Sequence, residues 1–168
     1  MRFGPANAMN STTATDASVA MADKPADPGS VLDEVPTEPT VKDKAALKAL
    51  VGKHALSLQW LQGKDKGAVE VFQDANHVRI RGEHRDPAGD FVTLEGWITE
   101  VKAKQFSVRG KLVTRSRLIA KGVECAREGD FTFAIKGGRK FWRLQEMKNP
   151  CEGGDVVDYV DVTIAKRR

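Results

Sequence analysis

Glu83, His84, Asp86 and Asp90 crowd into one short stretch, and oxygen and imidazole groups at that density are what a weakly held divalent cation uses. The stretch also contains Asp86-Pro87-Ala88-Gly89-Asp90, a turn with an Asp cap at each end, and no EF-hand or HExxH spacing accompanies it. No metal site is assigned. Nucleophilic catalysis needs a base beside a nucleophile. Of the three histidines, His54, His77 and His84, only His54 has a serine nearby, and Ser57 alternates to the opposite side of the strand. Ser107 and Ser116 lie in no signature, and G-x-S-x-G is absent. The glycine pairs 137–138 and 153–154 are isolated and build no phosphate loop. No catalytic residue is assigned, no cofactor is implied, and the chain is expected not to be an enzyme.

The stronger chemical signal is positive charge. Arg79, Arg81, Arg109, Lys111 and Arg143 fall on strand positions that face away from the apolar side, and Trp97 shares that facing. A cationic strand face with an aromatic anchor suits an anion: nucleic acid, an acidic glycan or an acidic protein. The plainer alternative is a solvated strand exterior, with Glu70, Glu83, Glu95 and Glu146 interspersed. Residues 1–41 contain two basic and six acidic residues, net −4, so the rest carries +8 of the whole-chain +4.

These residues must be held by strands. Cys125 and Cys151 bracket a hairpin turning at Gly137-Gly138, a pair that supplies the positive φ of a two-residue turn. Folded there, Phe133 meets Trp142, Phe131 meets Leu144, and the cysteines come together as a disulfide. Residues 67–73 and 77–83 form a hairpin about Ala75-Asn76 that pairs Val71 with Ile80. Residues 91–100 and 105–114 form the next, setting Ile98 against Phe106 and Glu95 against Arg109. Residues 54–60 and 156–165 read as further strands, 115–124 as a broken one, and 42–50 as one short helix ending near Gly52. Trp60, Phe131, Phe133 and Trp142 are the expected large core residues. The expected fold is all-β: an antiparallel meander of about eight strands closing into a small barrel, preceded by one short helix. A meander of that length must dispose of its edges, and hairpin after hairpin favours closure.

Residues 1–41 hold five of the seven prolines with long Ala/Ser/Thr/Asp runs, so a disordered acidic tail is expected before a barrel domain over 42–168. No stretch of about 18 apolar residues spans a membrane. Met1-Arg2-Phe3-Gly4-Pro5 opens no run of signal-peptide length, yet such a tail is a common spacer behind an export signal or lipid anchor.

The helical turn, Leu50-Val51-Gly52-Lys53, a first strand ending in Trp60 and the meander that follows resemble lipocalin-type (calycin) barrels. From Gly52 to Ile164 the chain also resembles an uncharacterised group of small bacterial proteins, often exported. The resemblance rests on Leu56-Ser57-Leu58-Gln59-Trp60, Gly96-Trp97-Ile98-Thr99-Glu100-Val101, Phe133-Ala134-Ile135, Arg139-Lys140-Phe141-Trp142-Arg143-Leu144-Gln145, Lys148-Asn149-Pro150-Cys151 and Asp158-Tyr159-Val160-Asp161. It implies a fold and an envelope address, and no activity. The expected function is therefore a non-enzymatic binding or interaction barrel, engaging a small ligand or an anionic partner. It would be periplasmic if an export signal precedes this sequence and cytoplasmic otherwise. The alternative is an OB-like barrel binding single-stranded nucleic acid on Trp97, Phe91 and Tyr159.

Overall fold

The structure is a computed structural model that describes residues 29–165. Helix α1 (Lys44–Leu50) starts where the Asp43 carboxylate accepts the Ala46 N–H at 2.7 Å, satisfying one orphan donor of the first turn. Its apolar side, Ala46, Leu47 and Leu50, packs on the core. Eight strands follow: β2 (Gly52–Leu58), β3 (Gly67–Asp74), β4 (His77–Arg85), β5 (Phe91–Lys102), β6 (Gln105–Arg115), β7 (Cys125–Ala134), β8 (Phe141–Leu144) and β9 (Val160–Thr163). Each pairs antiparallel with the next, and β9 pairs back onto β2 from Ala55↔Thr163 to Leu58↔Val160, closing the barrel. A two-residue strand, β1 (Thr40–Val41), lies parallel to β5 beside Glu100 and Val101.

Strict alternation along the strands sends one set of side chains inward. Leu56, Val71, Ile80, Leu94, Ile98, Val108, Leu112, Leu144 and Val162 are almost wholly buried in one cluster. Each such side chain contributes roughly 1.5–3 kcal/mol on burial. Phe106 stacks on Phe133 with ring centres 5.1 Å apart, and Trp142 meets Phe106 edge-on at 5.5 Å. These rings fill the barrel, as small eight-strand barrels are filled when they hold no ligand. Gly96 and Gly110 face each other inside; a Cβ on Gly96 would lie 2.3 Å from the Arg109 carbonyl oxygen, so only glycine permits that approach.

Two registers differ from the sequence expectation, each by two residues. Ile98 pairs with Val108 and Trp97 with Arg109, because the hairpin turns at Ala103-Lys104, after the pair Lys102–Gln105, and one residue bulges from β5 between Ile98 and Glu100. Phe133 pairs with Leu144, because the pair nearest the turn is Ala134–Arg143 and the connection between them, 135–142, is not centred on Gly137-Gly138. An even shift keeps side chains on their faces, so Phe131, Phe133 and Trp142 are core as expected, whereas past the bulge parity flips and Val101 turns inward. Trp60 lies past the end of β2 and is only partly buried. The stretch 115–124 is not a strand beyond Arg115; it contains a bridge from Ser116 to Ile119 and a short 3-10 turn (Ala120–Gly122).

The expected boundary at Lys42 is not where packing begins. Residues 30–41 run across the outside of the barrel as a strap, with a 3-10 turn (Val31–Asp33) seated near β7 and β1 on β5. Docked apolar and hydrogen-bonding groups within an otherwise polar segment account for this. Of the tail expected over residues 1–41, residues 1–28 lie outside the described residues. No helix among the described residues is long and apolar enough to cross a membrane.

Candidate interaction face

The outer face of β3 to β7 is organised in cross-strand rows. One row reads Glu70, Arg81, Glu95, Lys111, Glu128, each opposite the next. Charges alternate along it, so neighbours compensate one another and the exterior is not a uniformly cationic patch. The adjacent row reads Phe72, Arg79, Trp97, Arg109, Asp130. It holds two guanidinium groups with an indole between them.

Arg109 is fully engaged. Its Nε and Nη2 donate to the two carboxylate oxygens of Glu34 at 2.8 and 2.9 Å, and its Nη1 donates to Asp130 at 3.1 Å. The fork on Glu34 is the bidentate geometry in which arginine recognises carboxylates best. Hydrogen bonds from Arg109 hold the Glu34 carboxyl below its ordinary pKa of 4.5 and, with Asp130, make Arg109 harder to deprotonate. Glu128 fixes the start of the strap, accepting from Ser30 Oγ and from the Val31 N–H, each at 2.9 Å.

Trp97 departs from expectation. It faces outward, as alternation requires, but is only 1% exposed, and it stands apart from the barrel core. The strap runs from Glu128 on β7 past Arg109 on β6 to Val101 on β5, and so passes over the Trp97 row. Phe91 is 8% exposed, with the Arg85 guanidinium 4.5 Å from its ring centre. Of the three rings an OB-like platform would stack bases on, Trp97 and Phe91 are thus buried, and Tyr159 is 37% exposed with the Arg143 guanidinium beside it.

Arg143 is not part of this face. It lies on β8, beyond β7, where it grips Asp161 through Nε and Nη2 at 2.8 and 2.9 Å. Its guanidinium lies 4.1 Å from the Tyr159 ring centre and 5.0 Å from that of Phe141. Arg79, Arg81, Arg109 and Lys111 are thus brought together, with Trp97 beneath the strap and Arg143 apart.

The buried carboxylates of the acidic loop are engaged by the protein's own donors. Asp86 is buried, which pushes its pKa up, but the N–H groups of Gln62, Asp90 and Ala88 outweigh this and hold it below its usual value. Asp90 accepts from Arg115 at 3.0 Å and from the Arg117 N–H at 3.1 Å. Among the described residues no group of three or more His, Cys, Asp or Glu side chains is placed to hold a metal.

Sequence reasoning missed a buried polar cluster at the end of the barrel where the long loops meet. Asp158, fully buried, accepts from Trp60 Nε1 at 2.9 Å, from Asn149 Nδ2 at 3.0 Å and from Arg127. Arg127 also donates to the Glu146 carbonyl at 2.8 Å, and burial lowers its pKa from the usual guanidinium range against the pull of Asp158. Asn149 Oδ1 accepts the N–H groups of Cys151 and Glu152, which anchors the disulfide loop. Cys125 and Cys151 are bonded, with Cα atoms 5.8 Å apart, as expected. Trp60, Asn149, Cys151 and Asp158 all lie in the series that carried the bacterial resemblance, which is the signal that they act together. Beneath the disulfide is a cavity of about 10 Å³, touching Leu58, Trp60 and Asn149, with room for about one water.

The sequence pattern of the PM1083 family matches residues 38–164, from the approach to β1 through β9. A protein of Pasteurella multocida (strain Pm70), named "Uncharacterized protein PM1083", is 37% identical over 113 residues, covering 67% of this chain and 72% of that protein. The structure has a closed eight-strand antiparallel barrel after one short helix. The chain belongs to the PM1083 family.

Proposed function

We propose that this protein is a non-enzymatic interaction barrel of the bacterial cell envelope that takes an acidic segment of a partner on the outer face of β4 to β6. The observation that carries this reading is the Arg109 fork, which already holds a carboxylate in bidentate geometry. Arg79, Arg81 and Lys111 stand around it on neighbouring strands. A filled interior favours an outer binding surface over an enclosed small-ligand pocket. The disulfide suits an oxidising compartment, where such bonds persist. Alternating charge makes the face selective: a spaced carboxylate finds its fork, whereas a uniform polyanion also meets Glu83 and Glu95.

The test is binding of a labelled Glu-rich peptide to the full chain at low and high salt. Affinity should fall as salt screens the exposed charges. The double reversal Arg109→Glu with Lys111→Glu should abolish binding with an unchanged circular dichroism spectrum. Absence of binding at low salt, or undiminished binding by the reversed protein, overturns the reading.

A further inference from the structure

A large aromatic side chain on the outside of a filled barrel does nothing for the barrel's core, and Trp97 is such a residue. Its Nε1–H has no hydrogen-bond partner among the described residues although it is buried, a costly arrangement that native structures rarely leave without a reason. Its cross-strand neighbours are Arg79 and Arg109. The cover over this row is seated by the buried Ser30 and Val31 and is otherwise held by few bonds, with the Glu34 fork at the surface. They are the Glu34 fork, two bonds to Glu128, the two-residue pairing of β1 and the Lys42 N–H on the Val101 carbonyl at 2.8 Å. Between the anchors Val35 stands 85% exposed. A segment so attached opens at lower cost than any strand of the closed barrel.

We propose that the Arg79–Trp97–Arg109 row is a peptide-binding site masked by the chain's own residues 30–41, and that its ligand is an acidic segment of a partner protein in which an apolar residue precedes a carboxylate by two positions. The strap supplies the template, since Leu32 and Glu34 have that spacing. Glu34 occupies the fork, and Leu32 borders two grooves of about 370 and 410 Å³ that extend over β4 and β5 past Phe72, Arg81 and Glu95. With the strap lifted, Arg109 offers its fork, Arg79 a second cation, and Trp97 an apolar plate with a free N–H donor. Tryptophan and arginine together are the side chains that most often dominate binding energy. Glu34 lies outside the stretch matched by the family, so the receptor row and its mask are separable features of the chain. The inference rests on the interaction reading above and names the site and its regulation.

The experiment uses full-length protein and a labelled peptide with the sequence of residues 29–41. Hydrogen exchange over 30–41 is followed in parallel with peptide binding. Glu34→Ala should speed exchange in the strap and tighten peptide binding roughly tenfold, because affinity scales with the open fraction of the site. Adding Arg109→Gln to that variant should remove the gain. Equal binding by wild type and Glu34→Ala overturns the mask while leaving the acidic-partner reading intact. Faster strap exchange with no peptide bound by either protein overturns both. A dimer that forms in Glu34→Ala as concentration rises, competing with the peptide, overturns the foreign partner in favour of strap exchange between copies.

Discussion

Asp158 shows how much a single residue can carry. It accepts from Trp60, Asn149 and Arg127, and so ties the exit of β2, the disulfide loop and β7 to one buried carboxylate. Removing one member of a buried ion pair leaves the other charge uncompensated, which costs about 3–5 kcal/mol. Asp158→Ala should therefore destabilise the protein by that amount, read as a fall in the urea midpoint. Arg127→Met in the same background should recover part of the loss, because the stranded cation is then gone. A cost for Asp158→Ala below about 1 kcal/mol, the range of surface substitutions, would show that water already reaches the cluster. None of this follows from residue types alone. An Asp two positions before β9 looks like any solvated carboxylate until the loops close over it. Trp142, by contrast, was legible from its place in an alternating strand.

At the scale of elements, the faces were legible, as was the β3–β4 register, which pairs Val71 with Ile80 as expected; the registers of β5–β6 and β7–β8 were not. Alternation assigns a side chain to a face from parity, and parity survives a shift of two residues. The turn at Ala103-Lys104 with its bulge, and the off-centre connection 135–142, change the pairing partners without moving any core residue outward. Trp97 is the exception that parity could not settle: it faces outward as read, but burial depends on the strap, and the strap's composition resembles that of a solvated tail. Its docking shows only in long-range contacts, among them the Glu34 fork on a residue 75 positions away. That contact is pH-dependent. Arg109 lowers the Glu34 pKa in the closed strap, so its contribution is full above the ordinary value of 4.5 and is lost as pH falls through the lowered value. Hydrogen exchange over 30–41, corrected for intrinsic pH effects, should show lost protection in acid below 4.5 while the barrel strands stay protected. Protection that is constant through that window would assign the strap's hold to Glu128 and β1 instead.

For the whole molecule the decisive feature is closure. The seam between β2 and β9 rests on four residue pairs, and β9 is itself only four residues long. Its inward residues, Val160 and Val162, are fully buried, and Val162 pairs with both Leu56 and Trp142. Strand β8 meets β7 through two pairs and β9 through three, so it depends on the seam more than on the meander. Losing β9 would expose two strand edges at once and withdraw Trp142 from the stacked rings it meets. Val162→Asp places a carboxylate in that apolar layer, at a cost on the order of 4 kcal/mol or more. Unfolding should then be global and cooperative: hydrogen-exchange protection in β5 and β6, on the far side of the barrel, should fall together with that of β9 and by a comparable free energy. If β3 to β6 kept their protection while β8 and β9 lost theirs, the meander would be the stable unit and the seam an addition to it.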